Sequence, residues 1–310
     1  MERIPVALSY DNRQTMAMAV VMVSAIKNAD PDTFYEFYCL LSKDVSPENR
    51  LHLQECENCG KNCSVSLLEM AEPFQKIEYG KFVGLVHSVT APALYRLKLP
   101  SILERYEKVI YLDTDTLVRC DLKSLFHFEL EDAYFAGVPV AWAQVDKKKR
   151  ERWLRKSKIP EMDDYLNSGV LLMNLKKMRE EAFECKCLSL IGNREFAKLD
   201  PADQLILNFV GYGGVRLLPC RFNVTMSHFK NPGKLEVFYS RKEIRKALEE
   251  PSIIHWTGAC KPWMYYDVPL AREWLDYFRK TPFAKTSLHR SSCPGKWKRF
   301  LLLALKFFKG

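Results

Sequence analysis

After Asp276 the sequence holds no acidic residue, although nine lysines and arginines follow between Arg279 and Lys309. The net charge of +9 therefore belongs to the C-terminal segment, and residues 1 to 276 are formally neutral. That distribution excludes a basic nucleic-acid-binding body and places the partner-seeking charge in a tail. The sequence also lacks an apolar run of bilayer-spanning length, which takes about 20 residues. The opening MERIPVALSYDN has only a five-residue apolar stretch before polarity returns. That is too short for a secretory signal, so the chain is expected to begin in the cytosol. Internal repeats and low-complexity linkers are missing too. With 310 residues, 47% of them hydrophobic and 27% charged, the chain can bury a substantial core as one domain, residues 1–276, followed by the tail, 277–310.

Cysteine is not scarce. Ten are present, and with a cytosolic start they are expected as reduced thiols rather than disulfides. Three of them cluster as CENCGKNC (Cys56, Cys59 and Cys63), with His52 just upstream. Such ligands suit a small zinc knuckle, but a second ligand pair at finger spacing is missing. A solvated loop with incidental cysteines is the plainer reading.

The first half alternates strand-like and helix-like segments. IPVALSY (4–10) and FYEFYCLLS (34–42) read as strands, and QTMAMAVVMVSAIKNA (14–29) as a helix of good formers. SPENRLHLQE (46–55) opens on a Ser cap with Pro in the first turn and is expected to be helical. SVSLLEM and KVIYLDTDTLV continue the alternation, which predicts an α/β fold with a largely parallel sheet. In the second half AYFAGVPVA (133–141) and NSGVLLMNL (167–175) read as strands, and 175–192 as a single helix. DPADQLILNFVG (200–211) reads as another helix, with Asp200 as cap and Pro201 at its first position. The basic run at 145–158 is expected to be a solvated face. In the tail, Trp297, Phe300, Leu301, Ala304, Leu305 and Phe308 form a helical stripe among Lys and Arg. That pattern predicts a helix lying in an anionic lipid headgroup layer; packing on its own domain is the alternative.

The stretch KVIYLDTDTLV carries two carboxylates, Asp113 and Asp115, at the end of an apolar strand, where α/β sheets collect their ligands. Three readings fit the pair alone. It is a strand end and a turn; or the Asp-x-Asp of a haloacid-dehalogenase-type phosphatase, which wants Thr or Val where Leu117 stands; or a hard-cation site holding a diphosphate. SIIHWTGACKPW (252–263) favours the third. It offers His255 as a further ligand, Gly258 for close backbone approach to phosphate, and Lys261 as a cation for the same phosphate.

At this point the sequence resembles glycosyltransferase family 8, the group of bacterial lipooligosaccharide galactosyltransferases, lipopolysaccharide glucosyltransferases and glycogenin. The matching stretches are ALYRLKLPSIL, KVIYLDTDTLV, NSGVLLMNL, DPADQLILN and HWTGACKPW, in the family's order, over about residues 4 to 275. The resemblance implies a GT-A, Rossmann-like nucleotide-sugar-binding domain with a helical basic tail. It further implies Mn²⁺, or Mg²⁺ in its place, on Asp113, Asp115 and His255, and a UDP-galactose or UDP-glucose donor. Donor contacts would come from Leu8, Tyr10, Asn12, Arg13, Arg96, Thr114, Asn167, Ser168, Gly258 and Lys261. Gln204 would stand on the reacting face, with Asp203 a sugar contact or a nucleophile. The implied activity is α-linked, configuration-retaining transfer of a hexose to a glycan or glycolipid acceptor such as lipopolysaccharide, by an enzyme peripheral to the inner face of the membrane.

Two departures from the family pattern stand out. SYDNRQ has Tyr10 where an acidic residue is usual and Arg13 in place of a tyrosine, so Tyr10 is expected to stack on the base instead. Ala141 replaces a frequent Asp on the acceptor side. A non-catalytic sugar- or lipid-surface-binding protein on the same fold is the alternative function.

Overall fold

The computed structural model describes residues 1–70, 91–140, 151, 165–191 and 203–293. Its frame is a seven-stranded sheet in the order β3-β2-β1-β4-β7-β6-β8. The strands are β1 (Glu2–Tyr10), β2 (Thr33–Leu41), β3 (Cys63–Glu69), β4 (Lys108–Leu112), β6 (Phe135–Pro139), β7 (Leu166–Asn174) and β8 (Val215–Leu217). Strands β3, β2, β1 and β4 run parallel, whereas β7 is antiparallel to both β4 and β6. The expected parallel sheet is thus present with one reversed central strand. β1 and β2 are buried at almost every position, since helices cover both faces of the sheet.

α1 (Thr15–Lys27) is buried on nearly every side, and this matches its lack of a polar face. It packs on a second, three-stranded sheet, β5-β10-β9, and on α11 (Ala271–Phe278). The strands of that sheet are β5 (Thr116–Val118), β9 (Val224–Thr225) and β10 (Ile253–His255). The other face of the large sheet is covered by α3 (Ala91–Tyr95), α4 (Leu99–Ile102), α6 (Leu175–Glu180), α7 (Phe183–Leu190) and α8 (Asp203–Val210). α2 (Pro47–Gln54) starts as expected, with the Ser46 hydroxyl accepting from Asn49 N.

Several expectations are corrected. The single helix over 175–192 is two, broken where Ala182 takes a left-handed conformation (φ 52°). CENCGKNC is not a loop up to Cys59: residues Glu55–Cys59 form a 3₁₀ helix with Cys56 buried. Its thiols face backbone carbonyls, Cys56 that of His52, Cys59 that of Lys280 and Cys63 that of Glu57. Among the described residues no zinc-type cluster forms there. Eight cysteines are free as expected, but Cys260 and Cys293 form a disulfide. A short pairing of Tyr265 with Ser291 brings these two together. The run 145–158 (Glu151 excepted), Ala141, Asp200, Pro201 and the stripe from Trp297 to Phe308 lie outside the described residues.

Candidate active site

The site begins where β4 stops. Asp113 N donates to Gly169 O at 2.8 Å, and Thr116 closes a turn back onto Asp113 O through its backbone N (3.2 Å) and hydroxyl (2.8 Å). That turn ends one strand and starts another: β5 leaves antiparallel to β10, with Thr116 opposite His255. The pairing sets the imidazole beside the aspartates. His255 Nε2 lies 3.0 Å from Asp115 Oδ1 and 3.8 Å from Asp113 Oδ2. One ligand atom from each of the three residues falls within 4.8 Å of the others. Gly169 makes this approach possible, since a Cβ there would stand 2.1 Å from His255 Cε1. Two carboxylate oxygens and one imidazole nitrogen are a donor set suited to a hard divalent cation.

Cations already surround the carboxylates. Arg96 is buried, yet each end of its guanidinium is satisfied. It donates to Asp113 Oδ1 (2.7 Å), Ser168 O (2.7 Å) and Ala93 O (2.9 Å), pairs with Asp203 Oδ2 at 3.3 Å, and lies over the Tyr111 ring at 4.1 Å. An unpaired guanidinium at this depth would cost several kcal/mol, so these partners are what keep it there. Lys261 donates to Asp115 Oδ2 and, at 2.6 Å, to Trp256 O. Burial pushes the Asp115 carboxyl up, but His255 and Lys261 outweigh it and hold Asp115 below the usual carboxylate range. Asp203 shifts the opposite way: burial raises it, Arg96 offsets part of that, and Asp113 adds to the rise.

Asp203 and Gln204 open α8, which is anchored one turn later by Asn208. That amide accepts from Leu166 N (2.7 Å) and donates to Leu166 O (2.9 Å), matching the helix to β7 like an extra pair of strand contacts. Ser168 Oγ donates to Asp203 Oδ2 (3.0 Å), while Gln204 Oε1 accepts from Asn167 Nδ2 (3.1 Å) and Ser168 N (3.2 Å). Two cavities meet along this line. A cleft of about 200 Å³ is lined by Arg96, Asp113, Thr114, Asp115, Ser168, Asp203 and Lys261. A cavity of about 170 Å³ is lined by Asn167 and Gln204 with Pro139, Thr225, Ser227, His228 and Thr257.

The other residues singled out from sequence lie less close. Leu8 and Tyr10 alternate onto the α1 side of β1 and are fully buried in that core. Tyr10, expected to stack on a base, therefore offers no ring face to a ligand in this structure. Asn12 accepts from Ser46 N (3.0 Å) and Asn49 Nδ2 (2.7 Å), and so holds the start of α2. Arg13 is exposed and paired with Asp11 at 2.7 Å. Gly258 takes a positive φ of 84° in the turn after β10. Cleft residues missed from sequence include Ser9, Gln14, Pro92, Ala93 and Trp263. Ser9 was within reach of the period-two rule, which places it on the face opposite Leu8 and Tyr10.

A mixed α/β sheet of this kind, with carboxylates, imidazole and flanking cations beyond its central strand, has the GT-A architecture. The chain belongs to glycosyl transferase family 8, whose model matches residues 5–267. The phosphatase reading of Asp113 and Asp115 falls with that assignment. Among curated relatives, a putative glycosyltransferase of Haemophilus influenzae is 26% identical over 297 residues, 90% of this chain and 84% of that one. General stress protein A of Bacillus subtilis is 24% identical, covering 82% of this chain and 85% of its own. A lipopolysaccharide 1,2-glucosyltransferase of Escherichia coli K12 is 29% identical over 51% of this chain and 44% of that one. The galactosyltransferase LgtC, solved with donor and acceptor sugar analogs, superposes with a TM-score of 0.72 at 23% identity, over 96% of this chain and all of that one. That likeness establishes the fold.

Proposed function

We propose that the chain is a Mn²⁺-dependent, retaining hexosyltransferase that moves galactose or glucose from a UDP-sugar onto a glycan acceptor such as lipopolysaccharide or a lipid-linked saccharide, in α-linkage. The observation that carries this reading is the convergence of Asp113, Asp115 and His255 in a charged cleft one hydrogen bond away from Gln204. Mn²⁺ held by those three residues, with Mg²⁺ as substitute, would neutralise charge developing on the departing diphosphate. Lys261 stands beside Asp115 to bind the same diphosphate, and Gly258 lets backbone approach it. Arg96 holds Asp113 and Asp203 in place and faces the donor sugar with Ser168. Thr114 completes the donor side.

Asp203 is committed to Arg96 and Ser168, and this favours front-face substitution over a covalent intermediate on Asp203. In that route the acceptor oxygen bonds to the anomeric carbon on the face that the diphosphate leaves, and the departing UDP takes the acceptor's proton. Gln204 borders that face. The cavity beyond it, whose described lining carries hydroxyls and amides and no carboxylate, lysine or arginine, suits a polyol acceptor. The basic C-terminal segment, 277–310, would hold residues 1–276 against the inner face of the membrane.

The test is a donor panel: purified protein, Mn²⁺ and each common UDP-sugar, with UDP release as readout. Release from UDP-galactose or UDP-glucose, abolished by chelation, is expected. No release from any donor across a broad acceptor set would favour a sugar- or lipid-surface-binding protein instead.

A further inference from the structure

The amide of Asn223 is fully buried and touches both halves of the site. It closes the 3₁₀ turn Cys220–Asn223, two residues before Thr225, which pairs with His255 between β9 and β10. Asn223 Oδ1 lies 3.0 Å from His255 Nδ1, and Asn223 Nδ2 donates to Asn167 Oδ1 at 2.8 Å. Asn167 Nδ2 in turn donates to Gln204 Oε1 at 3.1 Å. Two amides, Asn223 and Asn167, thus join the imidazole to Gln204.

The direction of this chain is fixed by backbone. Gly169 N donates to Asn167 Oδ1 (3.1 Å) and Ser168 N to Gln204 Oε1 (3.2 Å). A backbone N–H can only donate, so both oxygens are acceptors and the two amides have one orientation each. Asn167 must turn its nitrogen to Gln204, and Asn223 its nitrogen to Asn167. Only the oxygen of Asn223 is then left for His255. The imidazole therefore carries a proton on Nδ1, and it is Nε2 that faces Asp115 and Asp113.

We propose that Asn223 is a positioning residue that keeps His255 in the tautomer able to bind a divalent cation and, through Asn167, holds the Gln204 amide in register with it. This rests on the reading of Asp113, Asp115 and His255 as a Mn²⁺ site. Partners of metal-bound histidines are typically worth about 10–100-fold in metal affinity.

The experiment is Mn²⁺ titration by calorimetry of the full chain without donor, alongside turnover at saturating Mn²⁺ and melting temperature. Asn223→Ala removes both bonds and is expected to weaken Mn²⁺ about 10–100-fold. Asn223→Asp keeps an acceptor for His255 but cannot donate to Asn167. It is expected to hold Mn²⁺ affinity within about threefold while acceptor-dependent turnover falls at least about tenfold, with donor KM little changed. Unchanged Mn²⁺ affinity in Asn223→Ala, or parallel loss or full retention of both properties in Asn223→Asp, overturns the inference; lower melting temperatures without that split mean a structural role alone. If Asn223→Ala does not fold, the split in Asn223→Asp decides. Failure of the unsubstituted protein to bind Mn²⁺ would instead remove the metal reading itself.

Discussion

The two cavities on either side of the Asn167–Gln204 hydrogen bond have similar size and opposite chemistry. One, of about 200 Å³, holds three carboxylates, an arginine and a lysine. The other, of about 170 Å³, is lined among the described residues by hydroxyls, amides, Pro139, two valines and His228, with no carboxylate, lysine or arginine. His228 adds no charge at neutral pH, because burial, and secondarily the neighbouring His255, push its pKa down to about 3. Among the described lining residues, charge thus falls on the side that would take a diphosphate, and hydrogen-bonding capacity without charge on the side that would take a sugar. Strand alternation draws the boundary: Asn167 and Ser168 are neighbours on β7, yet they line different cavities.

The largest expected effect breaks the charged side. Asp115→Ala should remove Mn²⁺-dependent donor binding and lower UDP release on the order of 10³-fold, as loss of several kcal/mol of charge stabilisation predicts. Its circular dichroism should stay native; retained Mn²⁺-dependent donor affinity would refute the metal role. A smaller effect sharpens the uncharged side. Ser227 is exposed at the start of α9 (Met226–Lys230), and its hydroxyl bonds to Thr225 Oγ1 at 2.7 Å. Ser227→Trp should fill the cavity, reducing acceptor-dependent transfer at least about tenfold while leaving donor-only UDP release within about threefold. Equal losses in both assays would show that the two cavities are not separate subsites.

The smallest effect is a pH slope. Folded His228 titrates near 3 and an unfolded histidine near about 6.5. Between those values the unfolded chain binds the extra proton, so stability is present in full above pH 6.5 and is lost as pH falls through the window. His228 Nδ1 accepts from Thr225 N at 3.1 Å in a capping box. Glutamine can replace that bond without titrating. His228→Gln should therefore flatten the fall in melting temperature between pH 6.5 and 4; an unchanged slope would assign the acid sensitivity elsewhere.

Much of this site was legible because its chemistry sits at strand ends. Asp113 and Asp115 follow an apolar run and His255 follows another; the pair alone fits three readings, and His255 with Gly258 and Lys261 tips it to a cation site. The alternating elements of the first half were equally clear, their boundaries lying within two residues of those observed. What escaped had no local signature. Asn223 sits in CRFN, where a polar residue before a short strand looks like any turn, and only the β9–β10 register gives it His255 as a neighbour. The Cys260–Cys293 bond depends on a pairing between residues 265 and 291 that no periodicity announces. The break at Ala182 comes from a left-handed non-glycine residue, which composition does not flag.

The β5–β10 pairing joins segments of the chain that are made at different times. Asp113 and Asp115 are synthesised long before His255, and the three meet only once Thr116 and His255 have come into register across a pair of three-residue strands. Bringing such distant segments together is the slow, entropically costly part of folding. A chain halted before β10 would own both carboxylates and no cage. A cation captured by all three side chains would therefore report that β10 had paired with β5.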